Sequence, residues 1–301
     1  MYVSPQLRVR LFGDVHLTAK GEAVELAASA APIIGYLVLH RHRPVPRGEV
    51  AGAIWPERSD ARARRCLSTA LWRLKGRTET GALIDTSHHE MLRLNWHAAR
   101  WVNSIWFERR VESILRVPPE AMTDAQFRQL RSAVSLYRDD LLRASELEWA
   151  MIERQRLRHL YLDALFHLTR AADARGDGAA AMAFGRRLAA LEPLREDVHR
   201  LLMRVYVATG NRGKAIEQYR ICQGELSTEL NVEPTLETQA LFATIIGDTS
   251  AAASPAERRA ASLEALDDRV RAARRAIAAA DLRLVDALGL VQRAQRVADP
   301  A

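Results

Sequence analysis

The residues best suited to chemistry lie between positions 60 and 76, where basic and hydroxyl side chains recur on one side of a predicted helix. Apolar residues repeat there at helical spacing and predict one buried face. At about 100° per residue, the opposite face carries Arg62, Arg65, Ser68, Thr69, Trp72 and Arg73. Guanidinium groups donate to guanine edges and to phosphates, and hydroxyls contact either bases or phosphates. The pattern indicates a helix that lies in a DNA major groove, or else an ordinary amphipathic helix with a solvated charged face.

Two further cations extend this predicted surface. Lys75 follows Arg73 at the end of the helix, and both are expected beside the phosphate backbone, where they contribute affinity rather than specificity. Arg93 lies on the second strand of a predicted hairpin and is the expected phosphate contact there, with a solvated strand charge as the alternative. Trp72 is predicted either to contact a sugar or a thymine methyl group, or to pack beneath the hairpin.

The elements that must position these residues follow the order of a winged helix. Short strands are predicted at 7–13, 15–18 and 24–26, helices at 29–40, 47–55 and 60–76, and a β-hairpin at 83–95. In a winged helix the third helix reads the DNA, and the hairpin, or wing, contacts the backbone or the minor groove. Arg41 and Arg43, at the end of the first helix, are expected to interact with the helix dipole.

From residue 103 to 247 the pattern is continuously helical. Helices are predicted at 104–117, 123–143, 147–175, 178–192, 195–209, 212–230 and 235–246. Turns at Gly176 and Gly210 lie 34 residues apart, which is the period of a tetratricopeptide repeat. Stacked helical repeats are therefore predicted, with a plain helical bundle as the alternative.

Two sets of side chains in this region have expected positions. Aromatic residues spaced as repeat-core residues are Trp149, Tyr161, Tyr206 and Tyr219. Three arginines that alternate along one helix cannot share a face, which predicts a solvated surface for Arg154, Arg156 and Arg158.

Residues beyond 247 divide into a linker and a heptad segment. The linker is predicted at 248–260 and a coiled-coil-like helix at 261–297, where Leu263 and Val270 begin a series of apolar residues seven apart. Alanines fill the other seam position. The helix is expected either to dimerise or to fold back on the repeats.

Composition and charge narrow the function classes. The chain has 301 residues, a hydrophobic fraction of 48% and a formal net charge of +7, which indicates a globular protein with an anionic partner. Roughly +6 of this charge lies in the first hundred positions. Cys66 and Cys222 lie in different segments, and the sequence has neither a signal peptide nor an apolar run of membrane-spanning length. A cytoplasmic location without disulfides or membrane contact is expected.

Enzyme and metal motifs are missing from the sequence. It has no phosphate-binding glycine loop, no metalloprotease helix motif and no paired cysteines for zinc. His40 and His42 are two residues apart, and His88 and His89 are adjacent, so neither pair suits a helical metal site. We expect no catalysis, no cofactor and no metal.

The helical region also carries motifs of a known family. They are LYRDDLL at 136–142, Trp149, ERQRLR at 153–158, ARGD at 174–177, LEPLRE at 191–196, QY at 218–219 and ELNVEP at 229–234. Together they resemble the bacterial transcriptional activator domain. In the first region Trp55, Ala63, Arg64, Leu67, Leu74 and Lys75 follow the pattern of the same family's winged helix. Over residues 7–247 the chain resembles the SARP family of bacterial activators.

The resemblance implies binding to direct repeats near promoters, a homodimer on double-stranded DNA, and contact with RNA polymerase. It implies no catalysis. The sequence departs from the family at the wing, where His89, Glu90 and Met91 stand in place of a Gly-Tyr pair, and at the opening of the helical module, 102–107.

The expected fold is mainly α with a small β component. We predict a winged-helix domain at 1–102, a TPR-like activator domain at 103–247, a linker at 248–260 and a coiled-coil-like helix at 261–297. The expected function is sequence-specific transcriptional regulation. A protein-interaction scaffold and a ligand-gated regulator that uses the helical repeats are the alternatives.

Overall fold

The computed structural model describes residues 7–76, 80–88 and 90–247. The chain divides into two compact units, Met1–Thr235 and Leu236–Ala301. Of the second unit, the described part is one helix, Leu236–Gly247. The predicted linker at 248–260 and the predicted heptad helix at 261–297 lie outside the described residues.

The described residues between 7 and 102 form a winged helix with two small sheets. The strands are β1 Leu7–Arg10, β2 His16–Ala19, β3 Glu22–Val24, β4 Val45–Pro46, β5 Ile84–Asp85, β6 Met91–Leu94 and β7 Ala99–Val102. The helices are α1 Ala30–Leu39, α2 Arg47–Ile54 and α3 Asp60–Lys75. The predicted order of strands, three helices and hairpin is therefore confirmed.

The N-terminal sheet has the strand order β3-β2-β1-β7. Along β1, Leu7 and Val9 are buried while Arg8 and Arg10 are exposed, as the two-residue period of a strand requires. The fourth strand, β7, was not predicted from the sequence; it lies parallel to β1 and directly precedes the helical module. The second sheet has the order β4-β6-β5, so the wing strands are tied to the residues just before α2.

The rest of the described chain is helical. Its helices are α4 Asn103–Ile114, α5 Asp124–Val134, α6 Glu148–Ala174, α7 Gly178–Leu191, α8 Glu196–Ala208, α9 Arg212–Leu230 and α10 Leu236–Gly247, with a short 3₁₀ turn at Pro119–Ala121. From α6 to α9 each helix packs against the next. Gly176 and Gly210 end α6 and α8 at φ +71° and +75°, a conformation that glycine adopts without strain. These matching turns confirm stacked helical hairpins.

The predicted helix at 123–143 is wrong beyond its first half. Helix α5 ends at Val134, and the chain then turns back toward the N-terminal strand. Leu141 forms an antiparallel bridge with Phe12, and the Leu142 N–H donates to the Leu11 carbonyl at 2.9 Å. Leu142 has φ +46°, which a continuing α-helix excludes. Pairing with a distant segment therefore replaces local helix formation here.

The predicted solvated surface is confirmed for Arg156, which is exposed, but it is wrong for Arg154 and Arg158. Arg154 donates to the carbonyl oxygens of Leu141, Leu142 and Ser145 at 2.7–2.9 Å and so holds the loop after α5. Arg158 lies 4.0 Å from an oxygen of Asp140 and 3.9 Å from one of Glu192. The third, Arg156, joins a carboxylate network described below. Each arginine meets a different neighbouring segment because the three point in different directions from the helix.

Two other side-chain predictions need correction. Trp149 is half-buried outside the repeat core: its Nε1–H donates to the Ala53 carbonyl at 3.2 Å, and its ring meets Tyr36 edge-on at 5.2 Å. Arg43 binds the Glu49 carboxylate at 2.5 Å, and the last turn of α1 contains no basic residue. Tyr161, Tyr206 and Tyr219 are buried, as expected of core aromatics.

A buried histidine joins two helices of the repeats. His199 is 1% exposed; its Nε2–H donates to the Pro193 carbonyl at 2.9 Å, and its Nδ1 accepts from the Gln218 amide at 2.7 Å. Both ring nitrogens are used, which fixes one neutral tautomer.

Replacing His199 with leucine is expected to lower the free energy of unfolding by about 1–2 kcal/mol, because the Gln218 amide and the Pro193 carbonyl lose their partner. Urea unfolding followed by circular dichroism measures the change. The control is His159→Leu, which removes an exposed histidine of α6 and should change the value by no more than about 0.5 kcal/mol. Equal losses in the two variants would contradict the assigned role.

Among the described residues, no helix combines the length and the apolar character needed to cross a bilayer. In the same part of the chain, no group of three or more histidine, cysteine or carboxylate side chains is arranged to hold a metal ion.

Candidate nucleic-acid interface

Helix α3 separates its residues into a buried and an exposed face. The buried residues are those predicted from the apolar spacing: Ala63, Leu67, Ala70, Leu71 and Leu74. They pack α3 against α2 and α1. All seven predicted site residues of this helix are exposed: Arg62, Arg65, Ser68, Thr69, Trp72, Arg73 and Lys75. The structure thus brings seven of the eight predicted site residues together on one helix.

The two hydroxyls on this face have their protons engaged by the helix itself. Ser68 Oγ donates to the Arg64 carbonyl at 2.9 Å, and Thr69 Oγ1 donates to the Arg65 carbonyl at 3.0 Å. Thr69 Oγ1 therefore presents its lone pairs to the exterior, whereas Ser68 Oγ also accepts a hydrogen bond from Arg47. In a major groove such oxygens suit the exocyclic amino groups of adenine and cytosine, whereas the neighbouring Arg65 suits guanine.

Trp72 is 74% exposed, which is exceptional for a tryptophan. The alternative that placed its ring beneath the wing is therefore wrong. Arg73 and Lys75 lie in the last turn of α3, where cations also interact favourably with the helix dipole. The exposed end of the helix consequently combines one aromatic ring with two positive charges.

The wing places the eighth predicted residue, Arg93, on β6, which is separate from α3. Arg93 is exposed and lies directly opposite Asp85 of β5. The Asp85 pKa is lowered, mainly because its carboxylate accepts a hydrogen bond from the Ser87 N–H at 2.9 Å, with a smaller contribution from the Arg93 charge. Arg93 thus already faces a carboxylate, which reduces the positive potential that the wing offers to a phosphate.

Two arginines next to this face are not among the predicted site residues: Arg47 at the start of α2 and Arg64 on α3 itself. Arg47 opens α2, and its Nη2 lies 3.4 Å from Ser68 Oγ. Arg64 lies over Gly48, where an added Cβ would be 3.1 Å from its Nη2. The sequence does contain one indication of the role of Arg47. Pro46 marks the start of the second helix, and in a winged helix the start of the second helix lies next to the third.

A charged cluster holds the winged helix against the helical module. Glu108 of α4 is 8% exposed and accepts from Arg41, at the end of α1, at 2.6 Å. Its other carboxylate oxygen accepts from Arg156 of α6, which also binds Glu153 at 2.7 Å. Those charged groups hold the Arg156 pKa well above its usual range. One carboxylate therefore links three helices.

Aromatic rings make a second connection between the two regions. Phe12, just after β1, meets Phe107 of α4 edge-on at 5.4 Å and Tyr137 at 4.6 Å. Tyr137 in turn stacks on Tyr161 of α6, with centroids 4.3 Å apart and an interplanar angle of 8°. Such pairs add to the free energy gained by burying their area. The orientation of α3 relative to the helical module is therefore set by packing as well as by charge.

Comparison with known proteins identifies the second region. Residues 103–246 match the family model described as "Bacterial transcriptional activator domain". The chain is 28% identical over 255 residues to the transcriptional regulatory protein MoaR1 of Mycobacterium tuberculosis, an alignment covering 80% of this chain and 79% of the relative. The Mycobacterium bovis BCG protein of the same name matches at the same identity and coverage.

A solved structure supports the fold. The Mycobacterium tuberculosis protein EmbR, in complex with a low affinity phosphopeptide, superposes with a TM-score of 0.65 at 20% identity. The match covers 81% of this chain and 66% of the EmbR chain, so slightly less than two thirds of EmbR is represented here. The matched activator domain and the similarity to MoaR1 make this chain similar to transcriptional regulators of the SARP type.

Proposed function

We propose that this regulator binds DNA sequence-specifically through α3, which lies in the major groove. The observation that carries the proposal is the exposed face of α3, where Arg62, Arg65 and Thr69 stand side by side with no carboxylate paired to either arginine among the described residues. Guanidinium and hydroxyl groups at this spacing match the edges of successive base pairs. Ser68 and Trp72 complete the base-facing surface.

The phosphate contacts are assigned to the periphery of this surface. Arg73 and Lys75 at the end of α3 and Arg93 on the wing are placed at the DNA backbone. Because such contacts release counterions, affinity should fall steeply as salt is added. Two more arginines extend the positive surface toward α2. Arg47 lies at the start of α2, and Arg64 lies on the side of α3 that faces Gly48.

The finer proposal is activation. Two protomers are proposed to bind direct repeats near a promoter, side by side, and the helical module to contact RNA polymerase. The support is the match of residues 103–246 to the bacterial transcriptional activator domain and the name of MoaR1 as a transcriptional regulatory protein. The connection through Glu108 favours this arrangement, because it fixes where the helical module lies once α3 is in its groove.

Genome-wide DNA capture with the purified full chain tests the proposal. Wild type is compared with Arg65→Ala/Thr69→Ala, and the matched control is Arg128→Ala/Ser132→Ala, an exposed pair at the same four-residue spacing on α5. We expect wild type and the control to enrich a direct-repeat motif that the α3 variant does not.

Two outcomes would overturn the proposal. If wild type enriched no motif, or if all three proteins bound all DNA equally, α3 would not be a sequence reader. The helical repeats would then be the place to look for a protein partner, as in the scaffold alternative. If the motif were found but run-off transcription from it were unchanged by the protein, the polymerase contact alone would fail.

A further inference from the structure

A cleft in the helical module lies away from the DNA-facing surface. Its volume is about 310 Å³, and it opens between α6, α7 and the loop that follows α5. We call it the tyrosine–arginine cleft and define it by Tyr137, Arg158, Tyr161, Leu162, Arg187 and Leu191. A cavity of this size lies at the lower end of the range for small-molecule sites.

Arg187 is a cation of this cleft that forms no ion pair among the described residues. Within the described part of the chain, no carboxylate lies in salt-bridge range of its guanidinium. The group stands 5.2 Å from the Tyr161 ring centre, and its Nη2 reaches the Tyr137 carbonyl only at 3.5 Å. Its planar set of donors is therefore available to a carboxylate, which is the partner that a guanidinium binds with two parallel hydrogen bonds.

The acidic residues at the rim do not compete for this arginine. Asp139 binds Arg143 at 2.8 Å, and Asp140 accepts from the Tyr137 hydroxyl at 2.7 Å. The Glu192 carboxylate lies 3.9 Å from the guanidinium of Arg158 and is not within salt-bridge distance of Arg187. The carboxylates near the cleft are thus engaged elsewhere, which leaves its interior positive around Arg187.

Tyr161 supplies the second polar group. Its side chain is 2% exposed; its hydroxyl lies near the Arg187 guanidinium, and its proton has no acceptor among the described residues. A buried hydroxyl proton without an acceptor destabilises a fold, so such groups are rare and call for an explanation. An oxygen of a bound molecule, accepting from this hydroxyl, supplies the missing bond.

We propose that the tyrosine–arginine cleft binds a small aromatic carboxylic acid. The carboxylate pairs with Arg187 and accepts from the Tyr161 hydroxyl, and the ring of the ligand packs on Leu162 and Leu191. This inference goes beyond DNA binding and does not depend on it, because the residues involved belong to α6, α7 and the preceding loop.

Isothermal titration of the full-length protein tests the proposal. The probes are phenylacetate and indole-3-acetate, their neutral amides, and inorganic phosphate. The variants are Arg187→Gln and Tyr161→Phe, with Arg204→Gln, an exposed arginine of α8 outside the cleft, as the control. Thermal unfolding of each variant establishes that it is folded before titration.

We expect one or both acids to bind wild type and the control equally, and Arg187→Gln to bind at least roughly tenfold more weakly. Tyr161→Phe should lose affinity several-fold with no fall in its unfolding temperature, since the hydroxyl proton has no acceptor to lose among the described residues. Absence of binding to both acids, equal binding of the amides or of phosphate, or unchanged affinity in Arg187→Gln would each overturn the assignment. DNA capture is a separate measurement, so either proposal can fail without the other.

Discussion

Replacing Glu108 with glutamine is expected to lower the free energy of unfolding by about 3 kcal/mol. The carboxylate is 8% exposed and accepts from both Arg41 and Arg156. Glutamine has nearly the same shape, but it leaves the largely buried Arg41 without a compensating charge. Removing one partner of a buried ion pair is costly for this reason. Urea unfolding followed by circular dichroism measures the loss.

The same helix offers a matched control. Glu112 lies 3.6 Å from Arg156 but is about half exposed. Ion pairs in water contribute little, so Glu112→Gln should change the free energy of unfolding by less than about 1 kcal/mol. Similar losses in the two variants would show that the cluster acts through general surface charge, and the proposed junction role of Glu108 would be wrong.

The second large effect is expected on DNA. Arg65→Ala/Thr69→Ala should weaken binding to a captured motif by about 2–4 kcal/mol, which reduces affinity from roughly thirtyfold to a thousandfold. Binding to unrelated DNA should change far less, because base contacts specify and phosphate contacts position. Fluorescence anisotropy with motif and scrambled duplexes at several salt concentrations measures both.

Lys75→Ala is the informative comparison for that experiment. Loss of the Lys75 charge should weaken binding to the motif and to scrambled DNA by a similar factor. It should also reduce the slope of log affinity against log salt concentration by about 1. If the α3 double variant behaved in the same way as Lys75→Ala, Arg65 and Thr69 would be phosphate contacts. The assignment of specificity to these two residues would then be wrong.

The local pattern was sufficient to predict α3. Ala63, Leu67, Ala70, Leu71 and Leu74 recur at the spacing of a helix face, and all five are buried. Periodicity carries this information because a helix repeats its faces whatever it packs against. The direction of Trp72 was not contained in the pattern, since a ring on the open face can point into solvent or under a neighbouring hairpin.

The segment at 135–147 shows that a local sequence pattern does not contain information about pairing with distant parts of the chain. Leu136, Leu141 and Leu142 suit a helix, but residues 141 and 142 pair instead with Phe12 and Leu11. That pairing joins positions about 130 residues apart, and no window of sequence contains both partners. Strand β7 was missed for the same reason, since its partner is β1 at the other end of the winged helix.

The charged network at the junction was hidden in another way. The sequence pattern predicts a helix-dipole interaction for Arg41 and a solvated position for Arg156, because a pattern within one helix contains no information about neighbouring helices. The residue that joins them, Glu108, carries no distinguishing feature in sequence. Buried ion pairs depend on which faces of separate helices meet, so they emerge only when the tertiary arrangement is known.

The parallel pairing of β1 with β7 has a consequence for synthesis on the ribosome. The Leu7 N–H donates to the Ala98 carbonyl, and the Leu142 N–H donates to the Leu11 carbonyl. The segment that contains β1 therefore acquires its last hydrogen-bond partners only after residue 142 has been translated. Contacts this distant in sequence slow folding and leave a strand edge exposed in the meantime. In truncated chains that end before residue 99, β1 would therefore be an exposed edge strand without β7, and these chains should aggregate where longer fragments fold.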